Sequence, residues 1–282
     1  NSCRFCATSH KFDRQYTPFL RTGRDIFQAC LRSEKKLGTA DFGLMDENFC
    51  KDPDRARQLL EEMETHGKAY TFSTFSSAET ITRLGIDFLV RLGVNFLWLG
   101  VESKANLFEK TRGIDLHNLI ADLQNHGITV LASAILFLEH HDKQTIHEDI
   151  DWAIGLESDL LQFMELGPVP GTQLYREYAA AGKLLPDVPW KRQHGQDEIW
   201  FRHPHFTPEE TASYLRDAFI RKYLAHGPGV LGMARTAIRG YMQEKARIAE
   251  RERSGLSWDP KTLRYVAGTN GSQDAFMRLR LD

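Results

Sequence analysis

The chain has 282 residues, of which 41% are hydrophobic and 26% are charged, a composition typical of a globular protein with a large core in one domain or two. Its formal net charge of -2 gives no overall attraction to an anionic membrane or to nucleic acid, so we expect no nucleic-acid partner. The sequence contains no apolar run of eighteen residues and no signal-peptide pattern at its start, so we expect no membrane span. Four cysteines in a chain of this length favour a reducing cytoplasm over a disulfide framework.

Two cysteines near the start, Cys3 and Cys6, are separated by two residues. This spacing lets two thiolates face one centre, which is compatible with zinc, a redox disulfide or an iron–sulfur cluster. Zinc requires further ligands, and His10 has no fourth partner at a recognisable spacing. A thioredoxin-like motif follows a strand, and only two residues precede Cys3. The spacing alone leaves a cluster, zinc and plain packed cysteines open, whereas Cys30 and Cys50 are predicted to be packed thiols.

Downstream, apolar runs alternate with segments of helical periodicity. The predicted strands cover residues 40–45, 69–75, 95–101, 128–138 and 160–166. The predicted helices cover residues 25–37, 53–66, 116–125, 145–156 and 173–181, and a further helix begins at Ser77 or Thr80 and runs to Leu92. Such alternation requires parallel strands with right-handed crossovers, so the predicted fold class is α/β, either a doubly wound sheet or a barrel. No G-x-G-x-x-G follows a strand, which disfavours a nucleotide-binding doubly wound sheet.

The composition changes beyond Gly182. Residues 184–189 are predicted to be a linker, and helices ending at residue 225 and covering 230–253 are predicted to form an appended helical region. Thr207 is expected to cap the first of these helices, as Asp52 caps an earlier one. Basic residues on the second helix alternate with glutamates, which indicates a solvated face. The loop histidines are interpreted as solvated or capping residues: His140, His141, His147, His194, His203 and His205.

Polar residues follow several predicted strands. They are Asp46, Glu47 and Asn48 after the first, Ser73 and Thr74 near the end of the second, and Glu102 and Ser103 after the third. Because the carboxyl ends of parallel strands meet at one edge, we expect these side chains to converge on one ligand.

Several short motifs occur in an order that resembles a known family. C-R-F-C at residues 3–6 is similar to the second half of the cysteine loop of radical S-adenosylmethionine enzymes. Further matches are D-E-N-F at 46–49, W-L-G-V-E-S at 98–103, K-T-R-G at 110–113, S-A-I-L at 133–136 and P-V-P-G-T at 168–172. The resemblance covers about residues 1 to 185 and points to the branch often fused to a cobalamin-binding domain.

The resemblance implies a partial (β/α)6 TIM-like barrel over residues 1–185, followed by a linker and a mainly helical region over 186–282. The family's first cysteine would lie two residues upstream of Asn1, and the first barrel strand is missing too, so we expect a fragment that is inactive by itself. Lys104 and Phe137 stand where the family usually has glycine.

The resemblance also implies the cofactors. Cys3, Cys6 and a third thiolate would hold a [4Fe-4S] cluster and leave one iron open. In the family, the amine and carboxylate of S-adenosylmethionine chelate that iron, and an electron passed through the cluster cleaves the sulfonium bond to give a deoxyadenosyl radical.

Further residues would bind S-adenosylmethionine. Phe5 would pack over the cofactor or cluster, and Glu102 would accept hydrogen bonds from the ribose or the ammonium group. Ile135 and Val169 would surround adenine. The carboxylates and carbonyls of Asp46, Glu47 and Asn48 would face the ammonium group, and the expected set is completed by Ser73, Ser133 and Pro168.

The reaction after radical formation is not readable from the motifs. Methyl transfer with cobalamin and cyclisation are both candidates, on a small-molecule substrate and with a reductant such as flavodoxin or ferredoxin. No D-x-H-x-x-G cobalamin motif occurs in these residues, so a cobalamin domain is expected upstream. A non-catalytic metal-binding barrel and an iron–sulfur electron carrier remain as alternatives, and no catalytic side chain is assigned.

Overall fold

A computed structural model describes residues 3–12, 15, 18–105, 108 and 110–253. In this part of the chain, five strands form one parallel sheet in the order β1-β2-β3-β4-β5. They are β1 (Asp41–Leu44), β2 (Thr71–Ser76), β3 (Val94–Glu102), β4 (Thr129–Leu136) and β5 (Leu160–Glu165). Each corresponds to a predicted strand, so the predicted α/β class with parallel pairing is confirmed.

Helices cover the sheet. They are α1 (Ala7–Lys11), α2 (Gly23–Leu37), α3 (Pro53–Thr65), α4 (Ala78–Leu84), α5 (Ile86–Leu92), α6 (Leu116–Asn125), α7 (Thr145–Gly155), α8 (Gln173–Ala180), α9 (Pro208–His226) and α10 (Gly229–Arg253). Single 3-10 turns occur at Phe49–Lys51 and Trp190–Arg192. The predicted caps are present, since Asp52 accepts a hydrogen bond from the Arg55 N–H and Thr207 forms a capping box with Glu210.

The prediction of a single helix from Ser77 or Thr80 to Leu92 is wrong. The structure has two helices, α4 and α5, separated at Gly85. Gly85 has φ 83° and ψ 149°, a backbone conformation that is essentially restricted to glycine and that cannot continue a helix. The apolar pattern continues on both sides of the break, which is why periodicity alone joined the two helices.

The fully buried side chains at the centre of the sheet lie on one of its faces. They are Leu97 and Leu99 of β3 and Val130 and Ala132 of β4, and they alternate with half-buried residues such as Trp98 on the other face. The long apolar run at 128–138 is explained by full burial on the first face and partial burial on the second.

The chain after residue 185 packs against this sheet. Leu184 pairs with Phe201 in an antiparallel bridge, and Trp200 and Phe201 are buried. On α10, the Thr236 hydroxyl donates to Asp159 at 2.6 Å, and the other carboxylate oxygen of Asp159 accepts the Val130 N–H of β4 at 2.8 Å. The division of the chain at residue 185 stays a prediction. Among the described residues, no helix is both long enough and apolar enough to cross a membrane.

Candidate functional site

A cavity of about 250 Å³ opens at the carboxyl edge of the sheet. Its walls come from the ends of β3, β4 and β5, from the cysteine loop, and from the segment that follows the P-V-P-G-T motif. Five residues predicted from the sequence line it: Phe5, Glu102, Ser133, Ile135 and Val169. Residues from distant parts of the chain therefore meet where a parallel α/β fold normally places its ligand site.

The cysteine loop is fixed against the barrel. The Cys6 N–H donates to the Cys3 carbonyl at 3.1 Å, which closes a turn between the two thiols. The Cys6 sulfur also caps α1, because it accepts a hydrogen bond from the Ser9 N–H at 3.5 Å. The Arg4 carbonyl accepts the Leu174 N–H of α8 at 2.9 Å. Both thiols are free and half-buried.

Arg4 also holds the cysteine loop in place, through ion pairs. Its guanidinium forms ion pairs with Glu177 on α8 and with Glu139 after β4. These contacts hold the loop across the ends of two barrel units, although all three side chains are partly exposed. Phe5 lies between the two cysteines and makes an edge-on contact with Phe108, with the ring centroids 5.7 Å apart.

A half-buried cation lies beside the thiols. Lys110 forms an ion pair with Glu102, whose backbone is in the left-handed region with φ 66°. Burial raises the pKa of the Cys3 thiol, and the positive charge of Lys110 partly offsets that increase. Burial alone would lower the pKa of Lys110, but the attraction of Glu102, with smaller contributions from Cys3 and Cys6, raises it above its usual value. Lys110 entered the sequence prediction only as part of a motif, without a role.

The acidic cluster after β1 lies outside the cavity lining. Asp46 pairs with the buried Arg55 at 2.7 Å. Glu47 accepts a hydrogen bond from Thr8 of α1. The Asn48 amide donates to Ser77 at 2.9 Å and its carbonyl accepts from Ser76 at 3.1 Å. All three side chains therefore already bind protein groups, and Glu47 does so beside the cysteine loop.

The other predicted positions are scattered. Ser73 is exposed on β2. Pro168 is buried, and its carbonyl accepts a hydrogen bond from the Trp200 indole N–H at 3.3 Å. Phe137, at a position where the resembled family usually has glycine, has φ 59° and packs its fully buried ring against Phe206. The roles of the predicted residues as cofactor ligands stay predictions.

The sequence analysis missed Glu165, the last residue of β5. Its side chain is 4% exposed and lines the cavity, and neither carboxylate oxygen makes a hydrogen bond of regular length and angle among the described residues. Burial raises the pKa of Glu165 to about 7, and the nearby Thr211 hydroxyl partly offsets that increase. No motif pointed to this residue, because its environment is built by the segment around Gly195 and Trp200.

Of the two interpretations of His141, a solvated or a capping loop residue, the structure excludes the solvated one. Its ring is fully buried, where Nδ1 accepts the Leu138 N–H at 3.1 Å and Nε2 donates to Asp149 at 2.8 Å. Ser103 donates to the same carboxylate oxygen at 2.6 Å. Donor atoms of His140, His141 and Asp149 lie within 4.8 Å of one another, but both nitrogens of His141 already bind protein groups. The cluster is therefore a brace between the ends of β3 and β4 and helix α7.

His203 also differs from its prediction as a solvated or capping residue. It is 9% exposed, and its Nε2 atom lies 3.1 Å from the Leu138 carbonyl. Burial lowers the pKa of His203, which favours the neutral ring. His203 thus anchors the segment before α9 to the loop after β4.

Solved structures share this architecture. The radical S-adenosylmethionine methyltransferase TsrM from Kitasatospora setae, with cobalamin and a [4Fe-4S] cluster bound, matches with a TM-score of 0.58 over 81% of this chain and 56% of TsrM, at 16% identity. A second TsrM structure, with tryptophan substrate and the S-adenosylmethionine analogue aza-SAM, matches with a TM-score of 0.51 over 80% of this chain and 57% of that chain. The chain shares the fold of these two TsrM structures. The resemblance drawn from the motifs and the predicted TIM-like barrel are thereby confirmed at the level of fold.

Sequence comparison also finds a methyltransferase. An uncharacterized methyltransferase of Pyrococcus horikoshii is 22% identical over 228 residues, which are 79% of this chain and 49% of that protein. No protein-family model matches. The chain thus spans about half the length of these relatives.

Proposed function

We propose that this chain is the barrel part of a radical S-adenosylmethionine enzyme, in which Cys3 and Cys6 supply two ligands of a [4Fe-4S] cluster. The observation that carries the proposal is the packing of the cysteine loop at the same cavity that Glu102, Ile135 and Val169 line. Three thiolates and one open iron are the arrangement that this chemistry requires.

The donor set suits a cluster. Both thiols are free and half-buried, and the positive charge of Lys110 partly offsets the increase that burial causes in the pKa of Cys3. When bound, the cluster supplies an electron for the reductive cleavage of S-adenosylmethionine. The edge-on contact of Phe5 with Phe108 shields the loop from water, which matters because a carbon radical reacts with any accessible hydrogen.

The cavity residues have distinct roles in the proposal. Glu102 is held by Lys110 and accepts hydrogen bonds from the ribose or the ammonium group of S-adenosylmethionine. Ile135 and Val169 enclose the adenine ring, and Ser133 lines the same wall. Glu47 positions the cysteine loop through Thr8 of α1. Asp46 and Asn48 bind Arg55 and Ser77 with their side chains, and their carbonyls stay candidates for the ammonium group. Ser73 and Pro168 stay candidate cofactor contacts.

We further propose methyl transfer, with cobalamin as a second cofactor and a small molecule as substrate. TsrM binds cobalamin, and both TsrM and the Pyrococcus protein are named methyltransferases. Cyclisation is the second candidate reaction. A flavodoxin or ferredoxin in a reducing cytoplasm is the expected electron donor, consistent with free rather than paired cysteines.

The proposal is tested with the complete gene product, purified and reconstituted without oxygen. It is incubated with S-adenosylmethionine and dithionite, and 5'-deoxyadenosine and S-adenosylhomocysteine are measured. The enzyme is expected to form at least one of them, and Cys6→Ala is expected to form neither. Cys30→Ala is the matched control, because it removes a thiol that is buried in the core. An electron carrier or a non-catalytic metal-binding barrel would form no product in any variant.

A further inference from the structure

A segment beyond the barrel motifs lies against the cavity. We call residues 193–200 the strap. Four of its residues, Gln193, His194, Gly195 and Trp200, line the same cavity as the ends of β3, β4 and β5. No motif of the sequence analysis falls in this segment, and the proposed function gives it no role.

The strap is fixed to the barrel near both of its ends. The Glu165 N–H of β5 donates to the Gly195 carbonyl at 2.8 Å, and the Trp200 indole N–H donates to the Pro168 carbonyl at 3.3 Å. Gly195 has φ 77°, and an added Cβ there would lie 3.0 Å from the Met164 side chain. The strap therefore packs closely on β5, and its side chains are positioned before a ligand binds.

The side-chain amide of Gln193 has a fixed orientation. Its NH₂ group donates to the Val188 carbonyl at 2.8 Å. Because a carbonyl only accepts hydrogen bonds, the amide nitrogen must face Val188, and the Gln193 carbonyl oxygen points elsewhere. Within the described ranges, that oxygen accepts no hydrogen bond. Gln193 thus offers the cavity an acceptor.

The ring of His194 has a fixed tautomer in its neutral form. Its Nδ1 atom accepts the Gln196 backbone N–H at 3.3 Å. Since a backbone N–H only donates, Nδ1 carries no hydrogen, and the ring hydrogen lies on Nε2. The ring is exposed, as expected for a loop histidine, but it also lines the cavity. His194 thus offers a donor next to the acceptor of Gln193.

This pair of groups complements one edge of adenine. The 6-amino group of adenine donates a hydrogen bond, and the ring nitrogens on either side of it, N1 and N7, accept one. In hypoxanthine, an oxygen replaces the amino group, so the Gln193 carbonyl would face a second acceptor. The remaining wall includes Ile135, Val169 and Trp200, which suits the faces of a flat base.

We propose that the strap recognises the adenine base of S-adenosylmethionine, with the Gln193 carbonyl accepting from the 6-amino group and His194 Nε2 donating to N1 or N7. The assignment rests on the proposed function, since it takes the cavity to be the nucleoside pocket. It adds two specificity-determining residues from outside the barrel motifs.

The contact of Gln193 is tested by calorimetric titration of the complete, cluster-loaded protein without oxygen. The probes are S-adenosylhomocysteine and S-inosylhomocysteine, which carries hypoxanthine in place of adenine. The wild type is expected to bind the adenosyl compound at least about tenfold more tightly, because the inosyl compound leaves polar groups of the site unpaired. Gln193→Leu is expected to lose most of this preference. Gln196→Leu, an exposed strap position outside the cavity lining, should keep it.

The contact of His194 is tested with the 1-deaza and 7-deaza analogues of S-adenosylhomocysteine. The wild type is expected to bind one of them at least about threefold more weakly than S-adenosylhomocysteine, because it lacks the accepting nitrogen. His194→Phe is expected to bind that analogue and S-adenosylhomocysteine equally. His205→Phe, an exposed position that does not line the cavity, should behave like the wild type.

Thermal unfolding of each variant separates recognition from structure. Gln193→Leu also loses the bond to Val188, and a strap distorted by this loss would unfold at a lower temperature and weaken both probes alike. His194→Phe changes an exposed ring and decides the assignment independently in that case.

Two outcomes would overturn the assignment. They are a wild type that binds the adenosyl and inosyl compounds equally, and a stably folded Gln193→Leu and His194→Phe that discriminate among the probes as the wild type does. Failure of the proposed function would look different, because the wild type would then bind neither homocysteine compound and both proposals would fall together.

Discussion

Replacing Asp149 with alanine removes the acceptor at the centre of the brace between β3, β4 and α7. Three donors lose their partner, namely the Ser103 hydroxyl at 2.6 Å, the His141 ring N–H at 2.8 Å and the Lys104 backbone N–H at 3.0 Å. Each stranded buried donor costs about 1–3 kcal/mol. The Lys104 N–H is only partly buried, so water can replace part of its bond.

We therefore expect Asp149→Ala to lower the free energy of unfolding by about 3–5 kcal/mol, the range seen when one partner of a buried charged pair is removed. Urea unfolding followed by circular dichroism measures this loss as a lower midpoint at unchanged slope. The matched control is Glu148→Ala on the same helix, which removes only the exposed ion pair with Lys104 and should cost less than about 1 kcal/mol.

The pH dependence of stability gives an independent check. Burial alone would raise the pKa of Asp149, but the hydrogen bonds from His141 and Ser103 outweigh it and hold the pKa below its ordinary value of 3.8. A lowered pKa in the folded state means that the stabilisation is present above about pH 4 and is lost as the pH falls through the folded-state pKa. Wild type and Asp149→Ala should therefore converge in stability under acid. Equal losses for Asp149→Ala and Glu148→Ala at neutral pH would refute the reasoning.

Two further substitutions test the site and the fold. Lys110→Met leaves the buried carboxylate of Glu102 without its cation, so unfolding should become easier by about 3 kcal/mol. Because Lys110 lowers the pKa of Cys3, the Cys3 thiol of the cluster-free Lys110→Met variant should react with a disulfide reagent only at higher pH than in the wild type. The same pH dependence of this reaction in both proteins would contradict the described contact. Gly93→Ala should lose at least about 2 kcal/mol, since glycine there has φ 91° and an added Cβ would overlap a backbone carbonyl oxygen. Gly113→Ala has φ 73° but open space around the Cβ, so its expected loss is only about 1 kcal/mol, and equal losses for the two glycines would argue against the described packing.

The strands and most helices were predictable because their signals are local. Alternating apolar runs, the Asp52 and Thr207 caps and the glycines after helices each act over a few residues. The break at Gly85 carried only one local signal, a single glycine inside a continuous apolar pattern, and it was overlooked.

The chemistry of the site was predictable only where a motif marked it. The cysteine loop and Glu102 belong to recognisable patterns. The partners of these residues do not, because Lys110 reaches Glu102 through tertiary folding, and Trp200 reaches the P-V-P-G-T loop from 32 positions away in sequence.

Buried polar residues were the hardest to predict. His141 and Asp149 lie on different elements and become partners only when α7 packs beside β4. The burial of Glu165 is likewise a property of the folded cavity. Such residues look like ordinary surface residues in a sequence, because nothing local tells a buried carboxyl from a solvated one.

The central claim is that Cys3 and Cys6 hold a cluster with one open iron. Electron paramagnetic resonance of the reduced complete protein, recorded with and without S-adenosylmethionine, tests it most directly. The account predicts about four iron atoms per chain, a spectrum that changes when S-adenosylmethionine is added, and loss of the cluster in Cys3→Ala and Cys6→Ala but not in Cys30→Ala. A spectrum that S-adenosylmethionine leaves unchanged, or full iron content in Cys3→Ala and Cys6→Ala, would contradict it.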